Sequence, residues 1–252
     1  MKNLYCILIA TVFFSFQHKT TDISFFAQDS VSITATAYIK YDDHRPFIIL
    51  FHQAGWSRGE YLEIAPKLNS IGYNCIAIDQ RSGAEVNEII NQTNRNAKNM
   101  NKNTTYLDAY ADMQAALNYV KNKFKPEKII AWGSSYSAAL SLKLAAVNSN
   151  DIHGVLAFSP GEYFQKFGKS ETYIAKYAKN ISCPVFITSA RDEKDLWKNI
   201  YATIQSKDKY YFIPNSNGNH GSRSLWEKFD DSKEYWKAVN NFLKKYFPVK
   251  NN

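Results

Sequence analysis

With three cysteines among 252 residues and no CxxC pair, the sequence offers no framework for a structural zinc or a disulfide-stapled fold. GxGxxG, P-loop and HExxH patterns are also missing, so nucleotide and metalloprotease chemistry have no motif to rest on. Charge of one sign is gathered nowhere. The 31 lysines and arginines outnumber 23 acids, for a net +8, yet they stand singly or in pairs such as Lys244 and Lys245, without an aromatic-spaced stripe. That scatter describes a solvated basic surface. No nucleic acid, metal or cofactor is expected as a partner, and the oligomeric state is unknown from sequence.

Long hydrophobic runs are lacking too. Residues 4–16 are apolar after a single lysine, Lys2, and this is short of the roughly 20 residues that a membrane-spanning helix needs. The stretch fits the apolar region of a signal peptide, so residues 1–20 are read as a signal peptide or N-terminal anchor and 21–252 as one domain. The expectation is export, periplasmic or secreted, with membrane anchoring through this segment as the alternative. Cys6 would leave with the leader. Cys75 and Cys183 sit beside apparent core strands, and a disulfide between them stays open.

What is present is a strand and helix alternation. "DISFFAQ" and "VSITATAYIK", split by Asp29-Ser30, predict an antiparallel hairpin at a sheet edge. Short continuous apolar runs follow at 47–51, 73–79, 128–132, 154–159, 184–190 and 209–214. Continuous apolarity marks strands covered on both faces, as in a parallel sheet. Helical periodicity lies between them at 60–68, 106–119, 137–146, 195–204 and 234–247. The fold class is therefore α/β: a doubly wound, mostly parallel sheet of about eight strands with helices on both faces and an N-terminal antiparallel hairpin. Ligands of such sheets bind outside the carboxyl ends of the strands. The Asn-rich stretch 82–105 reads as a mobile loop bordering that crevice or as a solvated insertion. Residues 161–179 form a possible small cap, whose Tyr163, Phe167 and Tyr173 line a pocket or simply join the core.

Chemistry concentrates at the strand ends. The corner Gly133-Ser134-Ser135-Tyr136-Ser137 joins a β-branched run to a helical one and has small residues on both sides of Ser135. A nucleophile on so tight a turn needs such neighbours, because they press against the adjoining strand and helix. The pentapeptide resembles the G-x-S-x-G elbow of the α/β-hydrolase fold family, with Ser137 in place of the last glycine. His52-Gln53-Ala54-Gly55 looks like that family's H-G-x-G loop. The resemblance covers roughly 47–247. It implies Ser135 as nucleophile, with the Tyr136 amide and that of Ala54 or Gln53 as oxyanion donors, and His52 as a brace for its loop rather than a base. It implies an acid after a later strand, assigned to Asp192 with Glu193 and Asp195 as neighbouring competitors, and a histidine after the last strand, His220. The order Ser135, Asp192, His220 is the family's order.

"IAIDQRSGAEVN" further resembles the D-x-R-G segment of the dienelactone-hydrolase-like and small carboxylesterase branch, where Gln80 and Arg81 would border the pocket. Trp56 and Arg81 are assigned to substrate binding, although an arginine here also serves as a loop anchor. The activity implied is serine-hydrolase cleavage of a small-molecule ester or similar acyl substrate, without a cofactor. Thioesterase or peptidase action, or an exported ligand-binding protein on the same fold, are the alternatives.

Overall fold

The computed structural model describes residues 20–41 and 45–249. The expected leader, except Thr20, lies outside them, as do Cys6, His18 and His44. Strands β1 (Thr20–Phe26) and β2 (Ser32–Tyr38) pair antiparallel and are followed by β3 (Phe47–Phe51), α1 (Ile64–Ser70) and β4 (Asn74–Ile78). Next come a short hairpin, β5 (Glu85–Val86) and β6 (Ile89–Ile90), then α2 (Gln92–Asn99) and α3 (Ala109–Lys123). The chain continues through β7 (Ile129–Ser134), α4 (Tyr136–Val147), β8 (Gly154–Phe158), α5 (Tyr173–Ala178) and β9 (Val185–Thr188). It closes with α6 (Lys194–Thr203), β10 (Lys209–Phe212) and α7 (Ser232–Tyr246).

Eight strands form one sheet in the order β1-β2-β4-β3-β7-β8-β9-β10, parallel from β4 to β10. The continuous apolar runs are the reason. All five residues of β3 are buried, and they alternate: Phe47, Ile49 and Phe51 enter one core, Ile48 and Leu50 the other. Fully burying each such side chain contributes roughly 1.5–3 kcal/mol of transfer free energy. Helices α3 to α6 cover the first face and α1 and α7 the second. In α3 the buried residues Ala109, Met113, Ala116, Leu117 and Val120 recur at helical spacing, so one stripe faces the sheet. Among the described residues, no helix is long and apolar enough to cross a membrane.

Cys75 and Cys183 are free thiols, which closes the disulfide question. Cys75 lies in β4 and Cys183 just before β9, with β3, β7 and β8 between those strands. Burial pushes the Cys183 thiol up to about 12.

The stretch 82–105 is not a plain loop. It holds β5, β6 and α2, and its asparagines take the place of missing backbone partners. Asn91 caps α2 by accepting Asn94 N–H at 2.8 Å and donates to Gln80 O at 2.8 Å. Asn96 donates to Ser32 O at 2.9 Å and Asn87 to Gly59 O at 2.9 Å. Side-chain amides that bond the backbone hold this segment where apolar burial is scarce.

Candidate active site

Ser135 is the only residue from Ala131 to Leu140 that is not buried. It sits alone between β7 and α4 with φ 60° and ψ −122°, a backbone that L-residues adopt at a cost of roughly 1–3 kcal/mol. Neighbouring structure holds it there. Its N–H donates to Phe158 O at 2.7 Å, while its carbonyl accepts Ala138 N–H at 3.0 Å and Ala139 N–H at 3.2 Å. The close approach depends on Gly133, where a Cβ would stand 2.4 Å from Ser137 O and 2.5 Å from the Ala138 backbone. Gly133→Ala is therefore expected to lose about 1–3 kcal/mol of stability by overpacking. An unchanged thermal midpoint would contradict this.

Ser137 explains its own departure from glycine. Its hydroxyl reaches Phe51 O at 2.7 Å and accepts Ser134 N–H at 2.9 Å, which ties the end of β3 to the corner. Beyond β3 runs the loop of His52 to Gly55. His52 is fully buried; its Nδ1–H donates to Gln53 O at 2.7 Å and its Nε2 accepts Gln80 N–H at 2.8 Å. Burial lowers its pKa to about 4, so it stays neutral and braces the loop.

Gln53 does not fit the donor role assigned to it. Its N–H already donates to Glu60 Oε2 at 2.8 Å. Among the described residues the Ala54 and Tyr136 amides have no protein acceptor, and Tyr136 opens α4, where helix N–H groups are left over. Ala54 and Tyr136 are the positions where the resemblance implies donor amides.

The acid assignment also changes. His220 Nδ1–H donates to Glu193 Oε1 at 2.5 Å, whereas Asp192 is exposed, one residue earlier in the 3-10 turn after β9. The longer glutamate side chain folds back over the turn to accept Ala190 N–H at 3.2 Å. Burial opposes ionisation of Glu193, but hydrogen bonds from His220 and Ser159 outweigh it and hold the carboxyl below its usual range. Asp195 is spent on a surface pair with Lys198 at 2.8 Å.

The histidine segment is fastened at consecutive amides. Gly221 N–H donates to Ser159 Oγ at 2.8 Å, and Ser159 Oγ donates on to Glu193 Oε2 at 2.6 Å. Ser222 N–H donates to Ser134 Oγ at 2.9 Å, and Ser134 Oγ donates on to Glu60 Oε1 at 2.7 Å. Gly221 presses against the corner: a Cβ there would come within 2.5 Å of Ser134 Oγ. Ser134 and Gly221 are the chain neighbours of Ser135 and His220, so the segments that carry the two expected reactive residues meet at one strand end.

Arg81 is occupied by carboxylates of the chain itself, as a loop anchor is. It is 2% exposed and forms bidentate pairs with Asp29, at 2.6 and 2.9 Å, and with Asp112, at 2.7 and 3.1 Å. Burial opposes its charge, yet both carboxylates raise its pKa above the ordinary arginine range. Gln80 is likewise buried and donates to Tyr136 Oη at 3.0 Å. Trp56 is half-buried, stacked on Trp226 with ring centroids 5.3 Å apart. Tyr163 of the 161–179 segment interacts with the Ser135 hydroxyl while donating to Ser159 O at 2.8 Å. Tyr106 stacks on Tyr136 at 4.5 Å and meets Phe167 edge-on at 5.3 Å, which makes an aromatic wall beside the corner. Among the described residues no group of three or more His, Cys, Asp and Glu side chains is arranged to hold a metal ion.

Residues 46–233 match a family model described as the alpha/beta hydrolase fold. No curated protein matches the chain. Among solved structures, the chain is similar to the Pyrococcus furiosus esterase Pf2001, with 20% identity and a TM-score of 0.71 over 91% of this chain and 93% of that one. It is also similar to a dienelactone hydrolase from Anabaena variabilis, at 12% identity and TM-score 0.70, covering 91% and 98% of the two chains. Est1E from Butyrivibrio proteoclasticus has 12% identity and TM-score 0.66, with 90% and 99% covered. Identities this low speak for the fold.

Proposed function

Because the chain belongs to the alpha/beta hydrolase fold family, we propose that it is a serine hydrolase cleaving a carboxylic ester or similarly activated acyl compound through an acyl-enzyme on Ser135. The observation that carries the reading is the part-buried Ser135 at its strained corner, beside a segment whose histidine bonds a part-buried carboxylate. Ser135 Oγ attacks the acyl carbon as its proton passes to His220 Nε2. The carbonyl oxygen takes the electron pair and lies between the Ala54 and Tyr136 amides, each such donor being worth about 2.7–4 kcal/mol in comparable sites. Collapse of the tetrahedral intermediate breaks the bond to the leaving alcohol, which receives the proton from His220. Water then attacks the acyl-enzyme by the same route and releases the acid. Glu193 keeps His220 in the Nδ1–H tautomer and stabilises the imidazolium that forms.

The similarity to the Pyrococcus furiosus esterase supports ester cleavage. A fluorophosphonate probe tests the nucleophile directly. Peptide mass spectrometry is expected to find the adduct on Ser135, while resistance of the folded protein to labelling would favour the ligand-binding alternative.

A further inference from the structure

Glu60 is a buried carboxylate that the triad does not use. It lies in the 3-10 turn Arg58–Tyr61, has no exposure, and no cation pairs with it within salt-bridge distance among the described residues. Its two oxygens nevertheless join three parts of the site. Oε2 accepts the Gln53 amide at 2.8 Å, which turns that amide inward and leaves Ala54 as the next one along. Oε1 accepts Ser134 Oγ–H at 2.7 Å, and Gln53 Nε2 stands 3.5 Å away. Through Ser134 Oγ the same oxygen reaches Ser222 N–H, two residues past His220.

We propose that Glu60 is a positioning residue whose ionised carboxylate sets the oxyanion loop and the histidine segment against the nucleophile corner, and that a proton on it slackens both. The proposal rests on the serine-hydrolase reading. Its physical basis is donor and acceptor counting. An ionised carboxylate only accepts, so it satisfies Gln53 N–H and Ser134 O–H together and leaves Ser134 Oγ free to accept Ser222 N–H. A protonated Glu60 must place an O–H among neighbours that are themselves donors. Either Ser134 Oγ takes it and the serine's own hydrogen loses its acceptor in a dry site, or the Gln53 side-chain amide turns its oxygen inward and gives up its present contact.

The groups facing Glu60 are His220 and Arg223 from the segment after β10, Tyr136 from α4, and Tyr61 from its own turn. Burial raises the Glu60 pKa to about 7, against the hydrogen bonds from Ser134 and Gln53 and the charges of His220 and Arg223, which pull it down. The folded protein thus binds this proton more tightly than the unfolded chain. As pH rises from the ordinary glutamate range to about 7, this group's contribution to stability falls while the hydrogen-bonded network completes.

Glu60→Gln keeps the shape and removes the charge. On a nitrophenyl ester, kcat is expected to fall about 10- to 100-fold, the scale of a slightly misplaced site, with KM within about twofold because ground-state binding is untouched. The acid limb of log kcat against pH should be steeper than one proton gives in the wild type and a single-proton limb in Glu60→Gln. A wild-type kcat in that variant, or a reduced kcat with an unchanged acid limb, would overturn the proposal. Should Glu60→Gln not fold, Ser134→Ala decides: the same order of kcat loss supports the bridge and a wild-type kcat rejects it. Ser135→Ala, run in parallel, separates the two readings, since retained activity there removes the serine hydrolase itself, whatever Glu60 does.

Discussion

Ser135→Ala is expected to lower kcat on a nitrophenyl ester by about 10³-fold or more and to leave the fold in place. The change deletes one oxygen from a part-buried corner and leaves its backbone anchors, Phe158 O and the Ala138 and Ala139 amides, untouched. Alanine must occupy the same φ of 60°, so the backbone cost is carried over. What disappears is the covalent route. The Ala54 and Tyr136 amides remain, and under the proposed mechanism a residual rate above that of water is expected, as in triads stripped of one member. Circular dichroism and the thermal midpoint should match the wild type. A variant that kept most of its activity would remove Ser135 as nucleophile and the acyl-enzyme with it.

The second large effect separates neighbouring acids. Glu193→Gln is expected to reduce kcat by about 10²- to 10⁴-fold, since an amide carries no charge to stabilise the imidazolium and no longer enforces the Nδ1–H tautomer. Asp192→Asn should stay within about twofold, because an exposed side chain without contact to His220 is outside the chemistry. The pair of variants is informative because both lie in one short turn and share their surroundings. Equal losses in the two, or a loss confined to Asp192→Asn, would return the acid role to Asp192 and require the turn to rearrange. Glu193 also holds Ser159 at 2.6 Å, so part of the deficit should appear as disorder of the histidine segment, readable in slower labelling of Ser135 by fluorophosphonate.

The sheet was legible because strands covered on both faces write themselves as unbroken apolar runs, and β3, β7 and β8 all do so. The cramped corner at Ser135 was legible from its local sterics, whereas His220 was singled out by the resemblance and its chain order. His220 bonds Glu193, one residue beyond the Asp192 that the resemblance implied. Motif spacing counts positions along the chain, whereas the selection between Asp192 and Glu193 depends on how far a side chain reaches back over a turn. Gln53 was misassigned for a longer-range reason: the carboxylate that takes its amide comes from Glu60, which in sequence reads as an ordinary polar residue of a helical stretch. Ser134 and Ser159 carry no signal of their own, since a serine at a strand end becomes a bridge only when another strand end delivers its partner. The α2 region hid behind its polarity, because Ala97 is the one apolar residue between Gln92 and Asn99 and side-chain amides hold the helix to its surroundings.

His220 follows β10, yet its segment is registered against other strands: Ser134 ends β7 and Ser159 follows β8, both interior to the sheet. β10 is a border strand, four residues long, with Tyr210 38% and Tyr211 49% exposed. Border strands are where local opening begins. Fraying there, or another chain zipping onto that edge, would leave the imidazole indexed to the centre of the molecule, so the reacting groups are insulated from the loosest part of the scaffold that delivers them.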